Sequence, residues 1–235
     1  MTSIRERADA AAQVIVTDLE SPALDDGDAH HLGRVLRLRD GERVVAVDGT
    51  GSWRLCAMLG GGLDPVGPLQ FEPAPAVPVR VWLPQVKGER SEWSVAKLTE
   101  LGVDEIGLLT CDRAAVRLDR SSVERVLGRW RRVAREASCQ SRRVRLPDVV
   151  GPLDVAEATA GGAVRCDLDG DAAEAGVTAL AVGPEGGWSD AEREATPWVS
   201  LGETVLRTET AAIAAGVLLL SARRGARHDA SSEAQ

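Results

Sequence analysis

Two glycine-bearing loops near the carboxyl end of the chain have the residue types of a ligand-binding site. The first, Gly183-Pro184-Glu185-Gly186-Gly187, directly follows the apolar run from Val177 to Val182. Glycine reaches backbone angles that other residues avoid, and it has no Cβ atom to obstruct a ligand lying against the main chain. The second loop runs from Gly202 to Arg207, after an apolar segment from Trp198 to Leu201. These loops predict a pocket built largely from main-chain groups. The charged side chains beside it would be Glu185, Arg207 and Glu209.

The elements that must position these loops are the strands and helices of an α/β sheet. The two apolar runs have the length and composition of buried strands. Ser189 and Glu192 have the capping-box spacing for a helix that Pro197 ends, and Thr208 is a suitable N-cap for a last helix reaching about Ala222. In an open α/β sheet, ligands bind outside the carboxyl ends of the strands, where such loops meet. The alternative is a pair of ordinary turns in a Rossmann-like domain. GPEGG lacks the GxGxxG spacing of a dinucleotide site, and no Gly-Lys-Ser/Thr follows it as in a phosphate-binding loop.

The chain divides at a proline-rich linker. Up to about Phe71, short apolar runs separated by Gly and Asp turns predict a compact β-barrel. The segment from Pro73 to Pro78 resists helix and sheet and predicts an extended spacer. Beyond it, a strand over Val79–Leu83, a helix that Ser91 caps and a strand over Glu105–Thr110 predict an α/β domain with a mainly parallel sheet. We therefore expect a barrel over residues 1–72, a linker over 73–78, an α/β domain over 79–225 and a polar, disordered tail over 226–235.

The composition predicts a globular protein of a reducing, intracellular compartment. Apolar residues make up 44% of the chain and charged residues 27%, and no apolar segment suits a signal peptide or a membrane span. The four cysteines are far apart and form no CxxC pair. The adjacent His30 and His31 have no third ligand nearby. We therefore expect neither disulfides nor a metal site.

A basic segment lies within this acidic chain, whose net charge is −8. Between Arg113 and Arg145, eleven arginines accompany three acidic residues, a local balance of +8. Such a segment indicates a polyanionic partner. The alternative is a solvated helix face, favoured by a composition in which arginine outnumbers lysine 26 to 2. Apolar residues from Val123 to Ala137 recur at spacings of three and four, which predicts an amphipathic helix with Trp130 in the core.

Motifs over most of the chain resemble those of one enzyme class. GPEGG followed by LG-x-x-x-LRTETA resembles the C-terminal signature of the SPOUT class of RNA methyltransferases. More closely, it resembles the family that methylates uracil N3 in small-subunit ribosomal RNA. The segments KGER…K…ELGV and EASCQSRRVRLP are similar to further motifs of that family. HHLGRVLRLRDGERVVAVDG resembles its N-terminal PUA-like domain, an RNA-docking fold.

This resemblance implies a fold, a cofactor and a partner. The fold would be a small PUA-like β-barrel before an α/β SPOUT domain with a trefoil knot, and the cofactor would be S-adenosyl-L-methionine. The partner would be 16S ribosomal RNA within the small ribosomal subunit. The protein would be a cytoplasmic homodimer that binds neither a membrane nor a metal. The cofactor-binding residues would be Gly183, Pro184, Glu185, Gly186, Gly187, Leu201, Gly202, Val205, Leu206, Thr210 and Ala211. The RNA-binding residues would be Arg34, Arg37, Lys87, Arg90, Lys97, Arg113, Gln140 and Arg143.

Methylation of uracil N3 requires removal of its proton, because the protonated nitrogen is a poor nucleophile. Arg207 can polarise a flanking carbonyl, and Glu185 or Glu209 can accept the proton. A structural ion pair is the alternative for Arg207, and a first-turn acid favoured by the helix dipole is the alternative for Glu209. Other functions stay open: ribose 2′-O methylation of transfer or ribosomal RNA, a non-catalytic RNA-binding assembly factor, and a nicotinamide-dependent oxidoreductase.

Overall fold

The protein consists of two compact units in a computed structural model that describes residues 2–174, 176–194 and 197–233. The first unit comprises Met1–Pro75 and Arg135–Leu146, and the second comprises Ala76–Ala134 and Pro147–Gln235. Residues 135–146, predicted to belong to the α/β domain, group with the first unit. Gln13, for example, donates to the carbonyls of Ser138 and Arg143. None of the described helices is both long and apolar enough to span a bilayer.

The first unit is a five-stranded sheet with three short helical segments before its second strand. Strand order is β1-β2-β3-β4, with β5 also on β3, and only the β1–β2 pair is parallel. Cores lie on both faces of β2, whose residues Val44 to Val47 are all fully buried. Its elements are α1 (Thr2–Ala8), β1 (Ala12–Ile15), α2 (Asp26–His30), a π-helix (His31–Val35), β2 (Arg43–Val47), β3 (Ser52–Leu59), β4 (Gly62–Pro65) and β5 (Gln70–Phe71).

The second unit is built on a six-stranded sheet in which every pair is parallel, in the order β11-β9-β10-β6-β7-β8. The prediction of an α/β domain with a parallel sheet is confirmed. Its elements are β6 (Arg80–Pro84), α3 (Arg90–Leu101), β7 (Glu105–Thr110), α4 (Arg120–Gln140), β8 (Asp148–Asp154), α5 (Val155–Ala160), β9 (Val164–Asp171), β10 (Ala179–Ala181), α6 (Asp190–Glu194), β11 (Trp198–Val199) and α7 (Thr208–Glu233). The last residues of α4, from Arg135 on, group with the first unit.

Close packing around the central strands explains part of the sequence. Gly107 of β7 is opposite Trp82 of β6, and a Cβ atom at Gly107 would lie 1.7 Å from the Trp82 ring. Only glycine fits there. On α4, the predicted apolar stripe is buried except for the half-buried Val133, and Trp130 is fully enclosed in the core, so that prediction is confirmed.

Two local predictions need correction: the cap of α3 and the end of the last helix. Ser91 does not cap α3; its hydroxyl instead accepts a hydrogen bond from Val86 N–H at 2.9 Å and lies 3.4 Å from the Pro84 carbonyl. Gly102 ends this helix with a φ of 103°. The last helix, α7, continues through Gly225 to Glu233 rather than ending near residue 222, because a single glycine weakens a helix by only about 1 kcal/mol. The final two residues of the predicted tail lie outside the described residues.

Candidate functional site

The loops that follow β10 and β11 line a cavity of about 400 Å³ in the second unit. Strands β9, β10 and β11 are parallel neighbours in the sheet, so their carboxyl ends meet at one edge. Thr208 joins the two loops, because its buried hydroxyl donates to the carbonyl of Gly183 at 3.0 Å. The predicted N-cap function of Thr208 is therefore wrong. The residue is the first of α7, and its side chain points to the neighbouring loop.

Most residues predicted to bind a cofactor line this cavity. The lining includes both loops and, at the start of α7, Ala211. Thr210 and Glu209 are not part of the lining. Gly186 also faces away, and a Cβ atom there would lie 2.7 Å from the Arg113 carbonyl oxygen. The predicted residues that do line the cavity are Gly183, Pro184, Glu185, Gly187, Leu201, Gly202, Val205, Leu206, Arg207 and Ala211.

Several lining residues were missed by the sequence reasoning. Three come from β9, which lies in a segment without a clear pattern. Trp188 could have been found, because it directly follows GPEGG. Its indole N–H donates to the Cys166 carbonyl at 2.9 Å, and its ring occupies the space a Cβ atom at Gly183 would need. The missed residues are Cys166, Asp167, Leu168, Val182, Trp188, Arg193 and Thr208.

Hydrogen bonds from the neighbouring loop after β7 fix the GPEGG loop. Arg113 donates to the Trp188 carbonyl at 2.9 Å, and Ser189 donates to Asp112 at 2.6 Å. The predicted capping box is confirmed: Ser189 N–H donates to Glu192 at 2.7 Å, and Glu192 N–H donates back to the Ser189 hydroxyl at 3.3 Å. The carboxyl side of the loop is therefore held by the loop after β7 and by the start of α6.

Two arginines beside the glycine loops differ in their pairing: Arg90 belongs to an ion-pair cluster, whereas Arg207 does not. Arg90 Nη1 lies 2.6 Å from Glu185 Oε1 and 3.5 Å from Glu209 Oε1. The hydrogen bond with Glu185 raises the pKa of the Arg90 guanidinium above its ordinary value. Arg207 is exposed and lines the cavity, and its side chain forms no ion pair with any residue that the structure describes. The structural ion pair considered for Arg207 is thus formed by Arg90 instead.

The candidate RNA-binding residues have different surroundings. Arg34 and Arg37 are exposed in the first unit, as is Gln140, whereas Arg143 of that unit is half-buried. In the second unit, Lys87 is exposed. Lys97 pairs with Glu100 at 2.8 Å.

Much of the arginine-rich segment stabilises the protein itself. Within the second unit, Arg131 donates to the carbonyl of Val149. Within the first unit, other guanidiniums donate to main-chain carbonyls, whereas arginines on a purely solvated helix face would hydrogen-bond to water. These arginines are Arg135, Arg142 and Arg145.

Comparisons with known proteins agree with this geometry. Residues 72–220 match the RNA methyltransferase domain family, and residues 24–63 match the RNA methyltransferase PUA domain family. Ribosomal RNA small subunit methyltransferase E of Mycobacterium tuberculosis is 38% identical over 224 residues, covering 84% of this chain and 86% of the relative. The Synechocystis protein of the same name is 31% identical over 206 residues, covering 77% and 67%.

Solved structures of such enzymes share the fold. The ribosomal RNA small subunit methyltransferase E of Neisseria gonorrhoeae, bound to S-adenosyl methionine, has a TM-score of 0.75 at 23% identity and covers 89% of this chain and 97% of its own. A Legionella pneumophila methyltransferase in complex with SAM has a TM-score of 0.76 at 24% identity, with the same coverage. The chain therefore belongs to the ribosomal RNA small subunit methyltransferase E family.

Proposed function

We propose that this protein transfers a methyl group from S-adenosylmethionine to N3 of a uridine in 16S ribosomal RNA. Family membership supports the reaction class and the RNA substrate. The observation that carries the residue assignments is the cavity between the loops after β10 and β11. Its lining includes Arg207, which has no ion-pair partner among the described residues.

The cavity suits the cofactor in size and in chemistry. Its volume of about 400 Å³ lies within the usual range for small-molecule sites. Leu201, Val205 and Leu206 offer an apolar wall for an adenine ring, and the glycine loops present main-chain groups for polar atoms. When bound, S-adenosylmethionine supplies a methyl group on a sulfonium, which is already an electrophile. The residues of this chain need only bind it, orient the target base and remove the N3 proton.

The surroundings of the two glutamates favour Glu185 as the proton acceptor. Its side chain is 40% exposed and lines the cavity, whereas that of Glu209 is 12% exposed and lies outside the lining. In this proposal Glu209 holds Arg90, and Arg90 orients Glu185. Arg207 donates to a uracil carbonyl, which stabilises the negative charge left on the ring after proton removal.

The proposal is tested by incubating the purified protein with small ribosomal subunits and cofactor, followed by mass spectrometry of the nucleosides. We expect N3-methyluridine. Arg207→Ala should reduce the rate by about a hundredfold or more and leave binding of S-adenosylhomocysteine intact. Glu185→Gln should reduce it more than Glu209→Gln. A 2′-O-methylated product, or full activity of Arg207→Ala, would contradict the proposal.

We further propose that the first unit docks RNA, because it contains the match to the PUA domain family. Arg34, Arg37, Gln140 and Arg143 would then contact RNA from this unit, and Lys87 and Lys97 from the second. The homodimer, the trefoil knot and the cytoplasmic compartment stay predictions from the family resemblance. Light scattering of the purified protein tests the dimer.

A further inference from the structure

A carboxylate from β9 faces the cavity with an oxygen that accepts no hydrogen bond. Asp167 lines the cavity beside Cys166 and Leu168, and its side chain is 15% exposed. Its Oδ1 accepts a hydrogen bond from Leu168 N–H at 2.8 Å. Its Oδ2 lies 3.7 Å from Arg165 and 3.8 Å from Arg193, which is too far for a hydrogen bond. No hydrogen bond reaches Oδ2 from the part of the chain that the structure describes, so this oxygen can still accept one from a ligand.

The position of this carboxylate is set by Arg165. The Arg165 side chain is 3% exposed, and its guanidinium carbon lies 5.1 Å from the Trp198 ring centroid and 5.9 Å from that of Trp188. A second anchor is the Glu192 carbonyl, which accepts a hydrogen bond from Nη1 at 3.2 Å. A guanidinium that lies near two indole rings and donates to a carbonyl has little freedom. Its charge therefore holds the Asp167 carboxylate in one position. Because this acceptor is already ordered, ligand binding loses less conformational entropy.

We propose that Asp167 accepts hydrogen bonds from the vicinal ribose hydroxyls of the adenosyl group, an inference that rests on the proposed function. The two guanidiniums near Oδ2 would repel an ammonium group, which argues against the amino end of the methionine moiety. Neutral hydroxyls meet no such repulsion, and a diol offers two donors to a carboxylate. In Rossmann dinucleotide sites, an acidic side chain likewise accepts a hydrogen bond from a ribose 2′-hydroxyl.

Calorimetry with analogues of the product tests this assignment. We expect the unaltered protein to bind S-adenosylhomocysteine about ten- to a hundredfold more tightly than its 2′-deoxy or 3′-deoxy analogue, the usual effect of a hydrogen bond to a charged group. Asp167→Ala should bind the parent compound and both analogues equally, within about twofold, because the acceptor is gone. Asp167→Asn, which keeps one acceptor oxygen and the side-chain size, should show an intermediate preference.

Asp169→Ala is the matched control. It removes the same charge from the same strand at an exposed residue outside the cavity lining, and it should keep the full preference for the ribose hydroxyls. If Asp167→Ala retains that preference, or if the unaltered protein binds all three compounds equally, the assignment of Asp167 is overturned while the cofactor proposal stands. If the unaltered protein binds none of them, both proposals fail. If Asp167→Ala does not fold, Asp167→Asn together with the analogues decides the question.

Discussion

Replacing Thr208 by valine is expected to loosen the cofactor cavity without changing its shape. The hydroxyl of this buried residue donates to the Gly183 carbonyl at 3.0 Å and joins the two loops. Valine is also β-branched and similar in size, but it cannot donate, so the carbonyl loses a buried partner. Such a loss costs about 1–3 kcal/mol of folding free energy. If about 1 kcal/mol of that must be recovered when the loops close on the ligand, the dissociation constant for S-adenosylhomocysteine rises about fivefold.

Titration calorimetry measures this dissociation constant, and urea unfolding measures the stability. Thr178→Val is the matched control. Thr178 is half-buried just before β10, at the opposite end of the strand from Gly183, and its hydroxyl has no hydrogen-bond partner among the described residues. We expect the control to bind as the unaltered protein does. Unchanged affinity and unchanged stability of Thr208→Val would refute the view that this hydrogen bond joins the loops, and so would an equal loss in the control.

Three further predictions concern the packing and chemistry around the cavity. Gly107→Ala should lower the free energy of unfolding in urea by about 1–3 kcal/mol or more, because its Cβ atom would lie 1.7 Å from the Trp82 ring. Gly128→Ala, at a helix position with open space around it, should leave the free energy of unfolding unchanged. An equal loss of stability in both variants would contradict the packing argument. Burial raises the pKa of the Cys166 thiol from 9.0 to about 12, so the unfolded chain loses its proton first and stability falls as the pH rises through that window. Cys166→Ala should therefore lose less stability than the unaltered protein in urea unfolding at alkaline pH, and the chain has no tyrosine whose titration would overlap. An identical pH dependence of the two proteins would contradict this prediction. Trp188→Phe should weaken S-adenosylhomocysteine binding about fivefold in calorimetry through loss of the 2.9 Å indole hydrogen bond, and unchanged binding would contradict the bond's part in shaping the cavity.

Local signals in the sequence were sufficient for much of the second unit. The strand over Glu105–Thr110 was predicted with its observed bounds. The capping box at Ser189 was found because hydrogen bonds between residues three apart depend only on local spacing. The apolar stripe of α4 was found because the side that packs into the core must repeat with the helical period.

By itself, the sequence determined the two glycine loops, the strands that precede them and the family, because each depends on residues close together in the chain. Only the tertiary structure decided which side chains meet at the cavity. Arg90 pairs with Glu185 and Glu209 across 95 and 119 residues, and Asp167 enters from a strand with no clear pattern. Thr208 has the sequence of a helix cap, yet its hydroxyl binds a carbonyl 25 residues away. Such contacts depend on the order of strands in the sheet, and no local spacing records that order.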